Sequence, residues 1–213
     1  MRDRPRRLTA YSAFAALTLG AVGMAFERAG PSVMAADPDD FAAWAGKHHR
    51  ALTTQSGVFL VSTAPLLLFF AGLRSWLRPH QDPAARVDLS LAVLGGGSLW
   101  ALGSAAAQTV QASMARSAAS GAEAEAVAAL GQRMRAMLVR SNAALSGAMA
   151  ATAAATFRDG ALPRWLGWLS AAGAVAHLAP MTTRRLENLP YPFFVAWLVA
   201  VAVVLARRPG RSI

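Results

Sequence analysis

The residues able to do chemistry in this chain are few, mostly uncharged, and set near the ends of apolar runs. Gln108 and Gln111 stand three apart, one helical turn, where one run closes; Asn142 opens the next, and His177 falls near the end of ALPRWLGWLSAAGAVAHLAP at 161–180. Arg184 and Arg185 follow that stretch, and His48 and His49 precede a run that begins with Gln55. Amides and an imidazole in apolar surroundings supply hydrogen bonds to a small ligand, and an arginine pair attracts an anion. A few convergent polar groups between helices suit small-molecule binding.

Metal or haem chemistry asks for more. Neighbouring histidines on a helix point about 100° apart, so His48 and His49 do not both reach one ion. His177 would need one of them opposite it as a second axial ligand, or a third donor for zinc. These three are weak metal candidates, and no cofactor is expected. HExxH, GxSxG, the phosphate loop and GxGxxG are absent, and the GGG at 95–97 lies inside an apolar run, where it cradles no phosphate. The chain has no cysteine, which removes thiolate nucleophiles and disulfides. Nearly all acids fall in loops, with Asp88 just inside a run, whereas proton-coupled transport favours a carboxylate deep in a span. The expectation is a protein that is not an enzyme.

What must position these residues follows from composition. Of 213 residues 55% are hydrophobic and only 15% charged, against about 25% charged in soluble domains. The charges crowd between apolar runs. A bilayer core calls for roughly 20 predominantly apolar residues, and six segments approach that: 8–26, 52–73, 87–110, 141–157, 163–180 and 191–206. They are too long and too continuously apolar for barrel strands, which alternate over about 10 residues. The expected fold class is all-α, a single polytopic transmembrane helical bundle over 1–213 with six spans, or five if the first is a cleaved signal.

The net charge of +10 is spread over segment ends, so it orients the chain against an anionic leaflet and does not mark a nucleic-acid surface. With the N-terminus inside, one side carries 12 basic residues (Arg2, Arg4, Arg6, Arg7, Arg74, Arg78, Arg86, Arg158, Arg164, Arg207, Arg208, Arg211) and the other 9. Positive charge near span ends stays cytoplasmic, which puts both termini in the cytoplasm of an inner membrane. Outer loops then cover 27–51, 111–140 and 181–190. In the second of them, GAEAEAVAALGQRMRAMLVR runs from glutamates to arginines, a charge order that complements a helix dipole. In the first, Asp39 or Asp40 is placed to cap a short helix, with Phe41 and Trp44 at the interface. Trp165, Trp168 and Tyr191 are expected interface anchors. Pro65 should kink the second span, and GGG at 95–97 reads as a small packing surface or as a hinge.

ALPRWLGWL, an alanine- and glycine-rich span and a closing YPFFVAWLVAVAVVLARR together resemble a broad group of small integral membrane proteins of high-GC, actinobacterial-type genomes. The box Pro163-Arg164-Trp165-Leu166-Gly167-Trp168 carries most of the likeness. The resemblance implies fold and location, and no activity. Two function classes stay open. One is a non-catalytic interaction or accessory subunit, with the bilayer and a membrane protein or a second copy as partners. The other is a small-solute transporter or ligand sensor using Gln108, Gln111, Asn142, His177, Arg184 and Arg185. A haem- or metal-binding protein is a third, remoter reading.

Overall fold

The structure, a computed structural model, describes residues 3–32, 36–82, 87–182 and 189–207. Seven α-helices account for nearly all of them: α1 (Asp3–Ala25), α2 (Pro38–Lys47), α3 (His49–Leu77), α4 (Leu89–Ala119), α5 (Ala124–Asp159), α6 (Arg164–Thr182) and α7 (Pro190–Arg207). The fold class is all-α, as expected. Among the described residues four helical stretches, 7–25, 49–80, 89–119 and 190–207, are long and apolar enough to cross a bilayer. The parts of α5 and α6 expected to span fall short on composition. In α5 alanine, serine and threonine fill the run, and α6 carries Arg164 and His177. The protein is an integral, multi-pass helical membrane protein. Large apolar side chains stay uncovered on several of its helices, among them Leu68, Leu99 and Val175, each at least 65% exposed. That is the surface acyl chains cover.

The helices pack as two compact units. The first comprises 1–17, 65–101 and 141–213, and the second 18–64 and 102–140. The first unit's core joins Ala10, Ala13 and Ala16 of α1 to Phe69, Phe70 and Leu73 of α3, Val93 of α4, Leu145 and Met149 of α5, Leu166 of α6 and Trp197 of α7. Phe69 and Phe70 lie 5.7 and 6.2 Å from Trp197 by ring centroid, and Trp100 is 4.6 Å from Phe194. Several buried hydroxyls here close on backbone, while Arg74 Nε is left without a partner among the described residues. Ser146 Oγ donates to Ala174 O across α5 and α6 (2.7 Å), Thr152 and Thr156 each bond the carbonyl four residues back, and Ser170 donates to Leu166 O while accepting Trp197 Nε1–H.

Two of the three consecutive glycines are packing positions. A Cβ on Gly96 would meet Ala144 O at 2.6 Å and Ala148 N at 3.0 Å, and one on Gly97 would enter the Phe70 ring, whereas Gly95 faces open space. α4 and α5 thus approach backbone to backbone, which only small residues permit. α3 runs unbroken through Pro65 although proline removes one i→i−4 bond. At the start of α4, Asp88 Oδ1 accepts from Ser90 Oγ (2.6 Å) and Leu91 N–H (3.0 Å), an N-cap that holds its carboxyl below the usual carboxylate range; the Ser90 hydroxyl is the larger cause. With its amide turned so that nitrogen faces Asp88 Oδ1 (3.0 Å) and oxygen faces Ser90 N–H (2.7 Å), Gln81 ties the preceding link to this cap.

The second unit has a small core of its own, with Phe41 and Ala45 of α2 against Leu52, Met114, Ala115, Val127 and Ala128. In the segment 111–140, where the charge order suggested an outer helix, α4 continues to Ala119 and α5 starts at Ala124. Two expectations change here. The α2 cap is Asp37, whose Oδ1 accepts Asp39 N–H at 2.9 Å, with Pro38 in the first turn; Asp39 and Asp40 sit inside the helix. Phe41 is buried in the core and does not lie out at an interface, and Trp44 is half-buried, donating Nε1–H to Ala29 O at 3.1 Å.

Candidate functional site

The second unit holds the polar cluster that packing explains least. Leu52, Thr53, Gln55 and Ser56 occupy one and a half turns near the start of α3, and α4 passes with Gln108 and Gln111. Gln111 Nε2 donates to Gln55 Oε1 at 2.9 Å and, longer at 3.4 Å, to Leu52 O; both glutamines are buried to 8% exposure. That second bond matters for a neighbour. A serine inside a helix commonly donates to the carbonyl four residues back, and for Ser56 that acceptor is Leu52 O, which receives Gln111 instead. Ser56 Oγ, wholly buried, is left without a partner, as are Thr53 Oγ1 and Gln108 Oε1 among the described residues. Elsewhere in this unit the usual pattern holds: Ser62 and Thr109 bond their own helix. The departure is confined to these two turns.

A buried polar atom without a partner costs about 1–3 kcal/mol. Two hydroxyls and an amide oxygen, none charged, can give and accept hydrogen bonds. The arrangement offers hydrogen bonds that nothing described in the protein takes up.

The other sequence-derived candidates lie elsewhere. Asn142, half-buried, and His177, 2% exposed, belong to the first unit, whereas Gln108 and Gln111 belong to the second. His177 Nδ1 lies 2.7 Å from Gly173 O, so that nitrogen carries the proton and donates within its own helix; the ring stands edge-on to Phe194 at 6.5 Å. Arg184 and Arg185 lie outside the described residues. His48 forms the C-terminal cap of α2 with its ring 5.7 Å from Trp44, and His49 Nδ1 bonds Gly46 O at 2.9 Å. Among the described residues no three His, Asp or Glu side chains come together as a metal site would require.

The comparisons decide nothing further. No family model, curated protein or solved structure matches this chain. Its function is read from the molecule alone.

Trp165, Trp168 and Tyr191 are 54%, 69% and 46% exposed, with Trp168 edge-on to Phe157 at 5.0 Å. Thr53 and Ser56 are the residues sequence reading passed over. Their signal was the polar run TTQS at 53–56 in an otherwise apolar segment, but which of its members face inward depends on helix rotation.

A second feature of this unit is an open groove of about 440 Å³ lined by Asp39, Ala42, Ala43, Gly46, Lys47 and His49 of α2 and α3, and by small residues at 118–124.

Proposed function

We propose that the protein is a non-catalytic interaction or accessory subunit of the cytoplasmic membrane, with six spans, both termini inside and the second unit as its outward contact surface. The observation that carries this reading is helix length. α4 and α5 have 31 and 36 residues, well beyond the roughly 20 that a bilayer core needs, and parts of both fold with α2 around a separate small core. A chain that only crossed the membrane would have no use for that unit. The bias of basic residues toward one side supports the orientation, and the Pro163–Trp168 box keeps its likeness to small actinobacterial membrane proteins. The test has two arms. Purification in mild detergent should retain a defined membrane partner or a second copy, and a reporter active only in the cytoplasm should work after Arg211 and fail within 113–130. A solitary chain whose deletion abolishes movement of one solute would overturn the reading.

A second reading, a ligand sensor or small-solute transporter, is favoured by the three unpartnered oxygens of Thr53, Ser56 and Gln108. It replaces Asn142 and His177 with α3 residues as companions of Gln108 and Gln111. It calls for a neutral hydrogen-bonding solute that raises the melting temperature of the wild type and not of Gln108→Ala.

A further inference from the structure

The groove beside α2 has a charge pattern that suits a copy of itself. Asp39, Ala43 and Lys47 are spaced four apart on α2 and all three are exposed, while Phe41 and Ala45 bury the opposite side of the helix. Ala42 and Gly46, both half-buried, line the groove beside this face, with Gly46 close against the Ala118 carbonyl. The free face of α2 therefore reads acid, small, base from its N-terminal to its C-terminal end. Eight residues of helix separate the two charges by about 12 Å, and Ala43 is the midpoint.

A helix of that pattern is complementary to its own reverse. In an antiparallel pair related by a twofold axis at Ala43, Asp39 of each copy meets Lys47 of the other. An isologous contact requires this self-complementarity, because each patch must fit itself after rotation. The exposed Ala43 between the charges lets the two helices come close, and the groove along 118–124 leaves room beside them. A partner of one sign of charge would satisfy one end and repel the other. Two copies inserted in one membrane share their orientation, so the axis runs along the membrane normal and the paired helices lie along the membrane surface.

The geometry points to a symmetric dimer in which α2 pairs antiparallel with α2 of a second copy about Ala43, with two reciprocal Asp39–Lys47 ion pairs. This rests on the reading of the second unit as a contact surface and names its occupant.

The chain has no cysteine, so a single introduced thiol reports cleanly. In membranes, Ala43→Cys should form an intermolecular disulfide under mild oxidation, while Ala136→Cys, at an exposed position on α5, should not. In detergent, Asp39→Lys and Lys47→Asp should each weaken dimerisation about tenfold or more, because like charges then face each other twice. The double variant should return to within about threefold of the wild type. Folding faults introduced at α2 would persist in the double variant, so recovery separates pairing from stability. A chain that stays monomeric, equal crosslinking at 43 and 136, or a double variant no better than the singles would overturn the proposal. If another membrane protein still co-purifies with a monomeric chain, the accessory-subunit reading survives while this dimer falls; if neither is retained, both fall.

Discussion

In the first unit, Ser146, Thr152, Thr156 and Ser170 each give their hydroxyl proton to a carbonyl, and Ser170 also receives Trp197 Nε1–H. In the second, Thr53 and Ser56 lie in an equally regular helix, yet their hydroxyls and the Gln108 amide oxygen bond nothing described, while Gln111 bridges Gln55 and the Leu52 carbonyl. Two kinds of polar residue are thus present in one bundle. The first kind lets helices pack in a medium that offers no hydrogen bonds of its own. The second is held in place by packing and is not used by it. Cores differ in the same sense: bulky aromatics of three helices interlock around Trp197, whereas the second unit relies on Phe41, Leu52 and Met114 among alanines. In the first unit these hydroxyls are taken up by packing, with Arg74 Nε the exception among the described residues; in the second, two hydroxyls and an amide oxygen are left unused.

The largest expected effects test that contrast in the cores. Trp197→Ala removes a wholly buried ring and the donor to Ser170, and should destabilise the whole protein by about 3–5 kcal/mol. Phe41→Ala should cost about 3 kcal/mol but act locally, releasing α2 to proteolysis while amide exchange in 141–177 stays slow. If Phe41→Ala loosens 141–177 as much as α2, the two units are not independent in stability.

The next effect sharpens what the glycines do. Gly96→Ala should destabilise by about 1–3 kcal/mol, because its new methyl meets the Ala144 carbonyl oxygen and neither backbone can yield without parting α4 from α5. Gly95→Ala meets nothing and should be neutral or stabilising by up to about 1 kcal/mol, since a glycine inside a helix is entropically costly. Thermal unfolding of the two variants in one detergent checks this. A hinge at the triplet would make both substitutions stiffen the protein alike.

Much of this was legible in the sequence, and the failures have physical reasons. α1, α3, α4 and α7 announce themselves by length and apolarity. α5 was harder: Arg133, Arg135 and Arg140 break its apolar run, so its first half read as a loop helix and its second as a short span. Ala, Glu, Arg, Met and Leu are all strong helix formers, and beyond the bilayer a helix needs no apolar face all round, so the two parts join. Gln111 could be picked out as polar, but its bond to the Leu52 carbonyl depends on rotation of two helices. The Asp37 cap was missed because Pro38 at the first helical position points one residue further back.

The smallest effect concerns Asp88 of the first unit, exposed where Ser56 is buried, and bonded at Oδ1 where Ser56 Oγ has no partner among the described residues. Its carboxyl titrates below the ordinary range because the ionised form accepts the Ser90 hydroxyl and the Leu91 N–H. The unfolded chain then binds a proton before the folded one does. The stabilisation is therefore present above the unfolded value of about 3.9 and fades as pH falls through the lower folded value. Asp88→Asn should lower stability slightly at pH 7, where the ionised cap contributes, and flatten the acid limb below about pH 4, where the wild type loses that contribution. A steeper acid limb in the variant would contradict the cap.

The contrast between the units is tested most directly by one matched pair of serines, Ser170→Ala and Ser56→Ala, unfolded side by side in the same detergent. Both hydroxyls are wholly buried, so burial cancels and only their bonding differs. Ser170→Ala strands the Trp197 N–H and should lower stability by about 1–2 kcal/mol, while Ser56→Ala removes an unpartnered group and should leave stability unchanged or raise it by up to about 1 kcal/mol. Equal losses from the two substitutions would mean that Ser56 is used in packing after all, and would contradict the account.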